Sequence, residues 1–282
     1  MPAPQAAMMQ QLAKLKFSSF GIALPTDWEE PSGDPDAQQY FDAFEPSERV
    51  AVPPIVPPGL FVAASVNKYH CDTAQEISDK FTAYIDGICG AICSAWAQWQ
   101  SAATLVGVII NAVTAAGGQV VGPPLGPLIM ASAPKATPQE LKYSTAVANA
   151  ISTAWLSYTA TIKVPGLPWY PMFAAVPSPV APPTPNIPCP VVALSPGGGS
   201  LLMANAIKGQ MQGLMGEPAA LHHEKLFEAL AGALEQVFQL WEKSTMVTNV
   251  LGTGPVPTFA PPYVPVGPVV MGVGNMTPGG FV

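Results

Sequence analysis

Charge is what this sequence has least of. Charged residues are 10% of its 282, against about 25% in an ordinary globular chain. The run from Gly87 to Pro134 and the tail 250–282 carry none. There is a single arginine, Arg49, and the net charge is −7. Phosphate binding needs a basic patch, usually with guanidinium forks, so nucleic acid is excluded as a partner. An acidic balance also suits anionic membranes poorly.

Cysteine is sparse as well. Cys71, Cys89, Cys93 and Cys189 are the four, and their spacing is not that of a disulfide scaffold. Cys89 and Cys93 stand four apart on one helical face, half of a metal site at most; buried free thiols are the expectation. No stretch reaches the roughly 20 apolar residues of a membrane span. The best candidate, 102–116, is interrupted by Thr104, Asn111 and Thr114 and ended by Gly117–Gly118. The N-terminal residues lack a basic segment followed by an apolar one, so no secretory signal is read and synthesis in the cytoplasm is expected.

Catalytic motifs are missing too. There is no nucleophile elbow, phosphate loop or His-Glu-x-x-His. The histidines are His70, His222 and His223; adjacent ones point about 100° apart on a helix and chelate poorly. A Cys–His pair from Cys71 or Cys93 would need the fold to assemble it. The acidic stretch 26–49 lacks the alternation and glycine of a calcium loop and reads as a solvated face. No catalytic residue, cofactor or metal is expected, and the chain is read as a non-enzyme.

Proline and glycine are plentiful. With 34 Pro and 25 Gly, they make up about a fifth of the chain, against about 12% ordinarily. They are concentrated in segments that alternate with aromatic-bearing helices. Trp96 and Trp99, Trp155 and Tyr158, and Phe238 and Trp241 each stand three apart near the end of a helical pattern. Each pair precedes an uncharged segment that ends in a similar tetrad, centred on Pro127, Pro190 and Pro268. These nine residues are the candidates for packing and interface contacts, and their common order suggests a triplicated unit.

Along the chain, residues 5–18 read as an amphipathic helix, and 50–63 as an extended apolar proline segment. A long helix is expected over 73–105, with Thr73 and Glu76 at capping-box spacing. Residues 106–116 fit strand or helix equally, with a turn at Gly117–Gly118. Thr137, Pro138 and Glu140 mark the start of a second helix, 137–163. A short helix follows over 201–215, capped by Ser200, and a third long one over 219–245.

The expected fold is mainly α: three long aromatic-faced helices in a pseudo-threefold body, with extended Pro/Gly-rich arms and little regular sheet. The divisions are 1–63 (helix, acidic loop, proline segment), 64–134 and 135–196 (helix plus arm each), and 197–282 (short helix, third helix, C-terminal arm). Apolar arms gain stability only when covered, so a neighbouring subunit is the expected cover. Removing 254–282 should then spare the helical core. The features point to a structural subunit of a large assembly, most concretely a virion or phage-like particle, as a minor capsid, cement or tail-associated protein. Its partners would be other proteins of that assembly, with pseudo-threefold or homo-oligomeric arrangement, and a membrane an improbable one. The alternatives are a membrane-active or pore-associated protein and an enzyme with an unfamiliar site.

Overall fold

The computed structural model describes residues 3–21, 66–165, 167–195, 197–217, 222–261 and 267–282. The acidic stretch 26–49 and the proline segment 50–63 lie outside the described residues. The chain divides into two compact units: residues 21–83, and residues 1–20 with 84–282. In the first, the described part is helical, with Lys80 paired to Glu76 one turn away at 2.7 Å. The second unit holds both sheets and most of the helices.

Its helices are α1 (Ala6–Ser19), α2 (Val66–Ala102, from Tyr84 onward), α3 (Leu125–Ser132), α4 (Pro138–Thr161), α5 (Ala204–Met215) and α6 (His223–Ser244). Helix α4 starts where its sequence dictates. The Glu140 N–H donates to Thr137 Oγ1 and the Thr137 N–H to a Glu140 carboxylate oxygen, both at 3.1 Å, with Pro138 in the first turn, where its missing N–H costs nothing. Helix α2 begins at Val66, so Thr73 lies inside it instead of capping it. Helix α5 follows a 3-10 turn, Gly198–Leu202, and Ser200 sits in that turn, donating to the Gly197 carbonyl.

The expectation of a mainly helical body with little sheet does not hold. The protein is mixed α/β. Strands β1 (Thr104–Asn111), β2 (Thr114–Val121), β3 (Val164–Pro165), β4 (Val180–Pro185), β7 (Val250–Pro255) and β8 (Gly272–Met276) form one antiparallel sheet in the order β3-β2-β1-β8-β7-β4. A second, small sheet pairs β5 (Cys189–Pro190) with β6 (Met246–Val247). Much of the segments read as arms forms strands of this sheet, paired within the chain. β1 and β2 make a hairpin whose two-residue loop opens with Ala112 at φ 53°, a position glycine usually takes; the Ala112 N–H is held by the Val269 carbonyl at 2.8 Å. Gly117 and Gly118 are therefore not the turn but part of β2.

Glycines shape the inner face of the sheet. Along β7 and β8 the buried positions are Val250, Gly252 and Gly254, and Gly272, Gly274 and Met276. Gly252 and Gly274 stand opposite each other. A Cβ on Gly252 would lie 2.5 Å from Ile110 Cδ1 and 3.1 Å from the Trp169 indole nitrogen, so the missing side chains make the slot that Trp169 and Phe173 fill. Trp169 is fixed there by its N–H, which donates to the Thr184 carbonyl at 3.1 Å.

The three tetrads have three different structures. Pro127 lies in α3, exposed; Pro190 lies in β5, half-buried; Pro268, exposed, follows Gly267, which bridges to Val176. The resemblance among the segments after the helices is thus one of sequence and not of conformation.

The C-terminus is tied in as well. Val282 and Met246 exchange backbone hydrogen bonds at 2.6 and 3.0 Å, and β8 lies between β1 and β7. Deleting residues 267–282 removes an interior strand. The shortened chain is expected to lose its cooperative thermal transition and its near-ultraviolet circular dichroism, in contrast to the spared helical core that an arm would imply.

Candidate functional site

The six aromatic candidates converge. Trp96 and Trp99 from α2, Trp155 and Tyr158 from α4, and Phe238 and Trp241 from α6 are all buried in one cluster. Trp155 meets Trp96 edge-on at 4.7 Å between ring centres and Trp99 at 4.8 Å. Trp96 stands 5.3 Å from Trp241, and Tyr158 4.9 Å from Phe238. Edge-to-face pairs of this kind add about 0.5–1.5 kcal/mol each beyond their area. Phe281 closes the cluster against Trp99 at 5.6 Å. Gln100 accepts from the Trp241 N–H at 2.9 Å and donates to the Phe281 carbonyl at 3.0 Å, joining α6 and the C-terminus to α2.

Beside the cluster lies a buried carboxylate. Glu242 Oε1 accepts from Ser195 Oγ at 2.9 Å and from the Tyr158 hydroxyl at 3.1 Å. Burial pushes the Tyr158 hydroxyl far above its ordinary pKa; the Ser195 hydrogen bond opposes that push and Glu242 adds to it. All three groups are buried, and the trio is a polar knot that ties α4 and Ser195 to α6.

The described thiols are buried among apolar groups. Burial raises Cys89 strongly and Cys93 to about 11, the opposite of what a nucleophile needs. Cys93 lies 3.7 Å from the Met9 sulfur. His223 is buried edge-on to Phe227 at 6.0 Å, and His222 precedes α6 at φ 60°. The side chains of His70 and Cys71 lie outside the described residues. Among the described residues no three His, Cys, Asp or Glu side chains are grouped to hold a metal ion, and no helix is long and apolar enough to cross a membrane.

What is open to solvent is the outer face of the main sheet. All six strands lie in the charge-free stretches 87–134, 164–207 and 244–282. Strand pairing sets Ala116, Ile109, Val273 and Thr253 in one row across β2, β1, β8 and β7. Asn275, Leu251 and Pro185 form a second row, and Pro255 with Val180 part of a third. Ile109 is 41% exposed, Val273 47% and Val180 55%. Four polar side chains of this face are bonded within the sheet. Asn275 Oδ1 accepts from the Gly107 N–H at 2.9 Å and Asn111 Oδ1 from the Met271 N–H at 2.8 Å. Thr114 Oγ1 donates to the Asn111 carbonyl and Thr253 Oγ1 to the Ala181 carbonyl. The asparagine side-chain oxygens and threonine hydroxyls can be covered by an apolar surface without being stranded, while the side-chain amide N–H groups of Asn111, Asn275 and Gln119 look to the covering surface for acceptors.

The edges offer less. β4 carries Pro182, Pro183 and Pro185, which have no N–H to donate, and β3 is two residues long. Both features oppose strand addition. An open groove of about 580 Å³ runs along β4 between Met172, Val176, Pro182 and Thr253; it is apolar and continues the outer face. No sequence motif marks this face, since its residues are brought together only by pairing across as many as 168 positions.

Two outcomes follow. Trp155→Ala is expected to cost about 3–5 kcal/mol, the range for large aromatic truncations in a core, read from chemical denaturation. The second concerns alkali. Tyr84, Tyr158, Cys89 and Cys93 all have raised pKa values through burial, so above the ordinary values of 9.0 and 10.0 the unfolded chain loses protons that the native state keeps. Stability is full below about pH 9 and falls above it. Melting temperature against pH should show this, and a Cys89→Ala/Cys93→Ala variant should flatten the onset while the tyrosine part above about pH 10 remains.

Comparison of the chain with known protein families, with curated proteins and with solved structures returned no match.

Proposed function

We propose that this chain is a non-enzymatic structural subunit of a large protein assembly, most concretely a virion or phage-like particle, in which it serves as a minor capsid, cement or tail-associated protein. The observation that carries the reading is the charge-free outer sheet face, with Ile109, Val273, Leu251 and Val180 exposed and its asparagines and threonines bonded within the sheet. Exposed apolar faces of this kind mark contact surfaces. The partners it suits are proteins with equally uncharged surfaces, because a charge set against it would be desolvated without a counter-ion. Nucleic acid does not fit, with one arginine in the chain and a net charge of −7.

The mass of the native material, purified from its source without detergent and read by light scattering, tests this. Many subunits, or comigration with a large particle, are expected. A 29.3 kDa monomer at every concentration would overturn the reading, and recovery only with lipid or detergent would replace it with a membrane-surface role. Ile109→Lys/Val273→Lys is expected to lower incorporation into the particle at least tenfold while the melting transition stays cooperative.

A further inference from the structure

We infer that the outer sheet face is a self-association surface, on which two copies of this chain pack sheet to sheet about a twofold axis. The inference rests on the assembly reading above and names the first partner of that face.

Charge is the first argument. Whatever covers the face must bring no ions to it, since an ion buried there has nothing to pair with. The charged helices of the same chain do not serve, and the uncharged α3 is only eight residues long. Lys14 and Lys16 on α1, Glu140 and Lys142 on α4, Lys208 on α5, and Glu224, Lys225, Glu228, Glu235 and Lys243 on α6 would be carried into the contact by head-to-tail stacking. The face itself has the required chemistry: six strands without one charged side chain.

Geometry is the second. The prolines of β4 and the shortness of β3 oppose edge-to-edge pairing, which leaves face-to-face packing. Two sheets stack about 10 Å apart and about 30° from parallel. In that arrangement the row of Ile109 and Val273 on one copy meets the same row on the other, and isologous contact closes at two copies. Strands about 4.8 Å apart and about 20 Å long give a footprint of about 500 Å², so a pair covers about 1,000 Å² in all, the size at which specific interfaces begin. Third, the side-chain oxygens of Asn111, Thr114, Thr253 and Asn275 are already bonded within their own sheet, which lowers the cost of covering the face.

Sedimentation velocity of the purified full chain over a micromolar concentration series tests the inference. The expected result is a species of about twice 29.3 kDa for the wild type and a monomer for Ile109→Asp/Val273→Asp. Aspartate can also unfold a strand, so Ile109→Thr/Val273→Thr is measured beside it. Threonine keeps the β preference, and this variant should keep the native near-ultraviolet spectrum and weaken the dimer about tenfold or more. A wild-type monomer throughout, or a dimer equally strong in both variants, overturns the inference. So does a chain that leaves the dimer for phosphatidylcholine vesicles through this face. If the wild type is monomeric yet enters the native particle through the same residues, self-pairing fails and the structural role stands. If the dimer is face-dependent but the native material holds no larger particle, the dimer stands and the structural role fails.

Discussion

The meeting of four tryptophans governs the arrangement of the main unit. Trp96, Trp99, Trp155 and Trp241 come from three helices, and flat rings with a negative face and a positive edge settle into edge-on contact. That geometry fixes where α2, α4 and α6 lie against one another. It also draws in the sheet. Gly122, just after β2, sits so near Trp99 that a Cβ there would lie 2.5 Å from the indole nitrogen, and Phe281, just after β8, rests on the same ring. Among the described residues the indole N–H groups of Trp96 and Trp155 have no hydrogen-bond partner, a cost of about 1–3 kcal/mol each that the packing of the cluster offsets.

From that anchor the two faces of the sheet follow different rules. The inner face is carved by glycine so that Trp169 and Phe173 can approach the strands. The outer face carries β-branched and proline residues with no charge among them. Among the described residues no ion pair involves a strand: Lys14 pairs with Asp86 at 2.9 Å, Lys208 with Glu228 at 2.7 Å, and Lys142 with Glu217 just beyond α5. The segregation makes one side of the unit water-seeking and the other suited to contact, which is the common ground of the structural role and of self-pairing.

The longer helices were legible because their signals are local, whereas α3 lay in a segment read as an extended arm. The capping box of Thr137 and Glu140 and the three-residue spacing of the aromatics can be read without knowledge of the rest of the chain. The sheet was not legible, because proline and glycine argue against strands. Its signal was weaker and different: glycine at every second position in Val250-Leu251-Gly252-Thr253-Gly254 and again in Gly272-Val273-Gly274, the period of a strand whose inner side must stay thin. The likeness of the tetrads at Pro127, Pro190 and Pro268 suggested one arm repeated three times, yet backbone pairing sends each to a different conformation. The Tyr158–Ser195–Glu242 knot could not be foreseen, since its members are 47 and 84 positions from Glu242 and meet only through tertiary packing.

The place of β8 bears on how the chain is made. β1 has one flank on β2, its neighbour in sequence, and the other on β8, so that Asn111 waits for Met271, 160 residues later. At about 5–20 residues per second, translation leaves that flank unpaired for about 10–30 s. For this time a nascent hairpin rich in valine and isoleucine shows a bare edge, the kind of surface that recruits chaperones or other unfinished chains. Completion of the sheet is therefore a late event in biosynthesis, timed by the ribosome and not by the intrinsic speed of the helices.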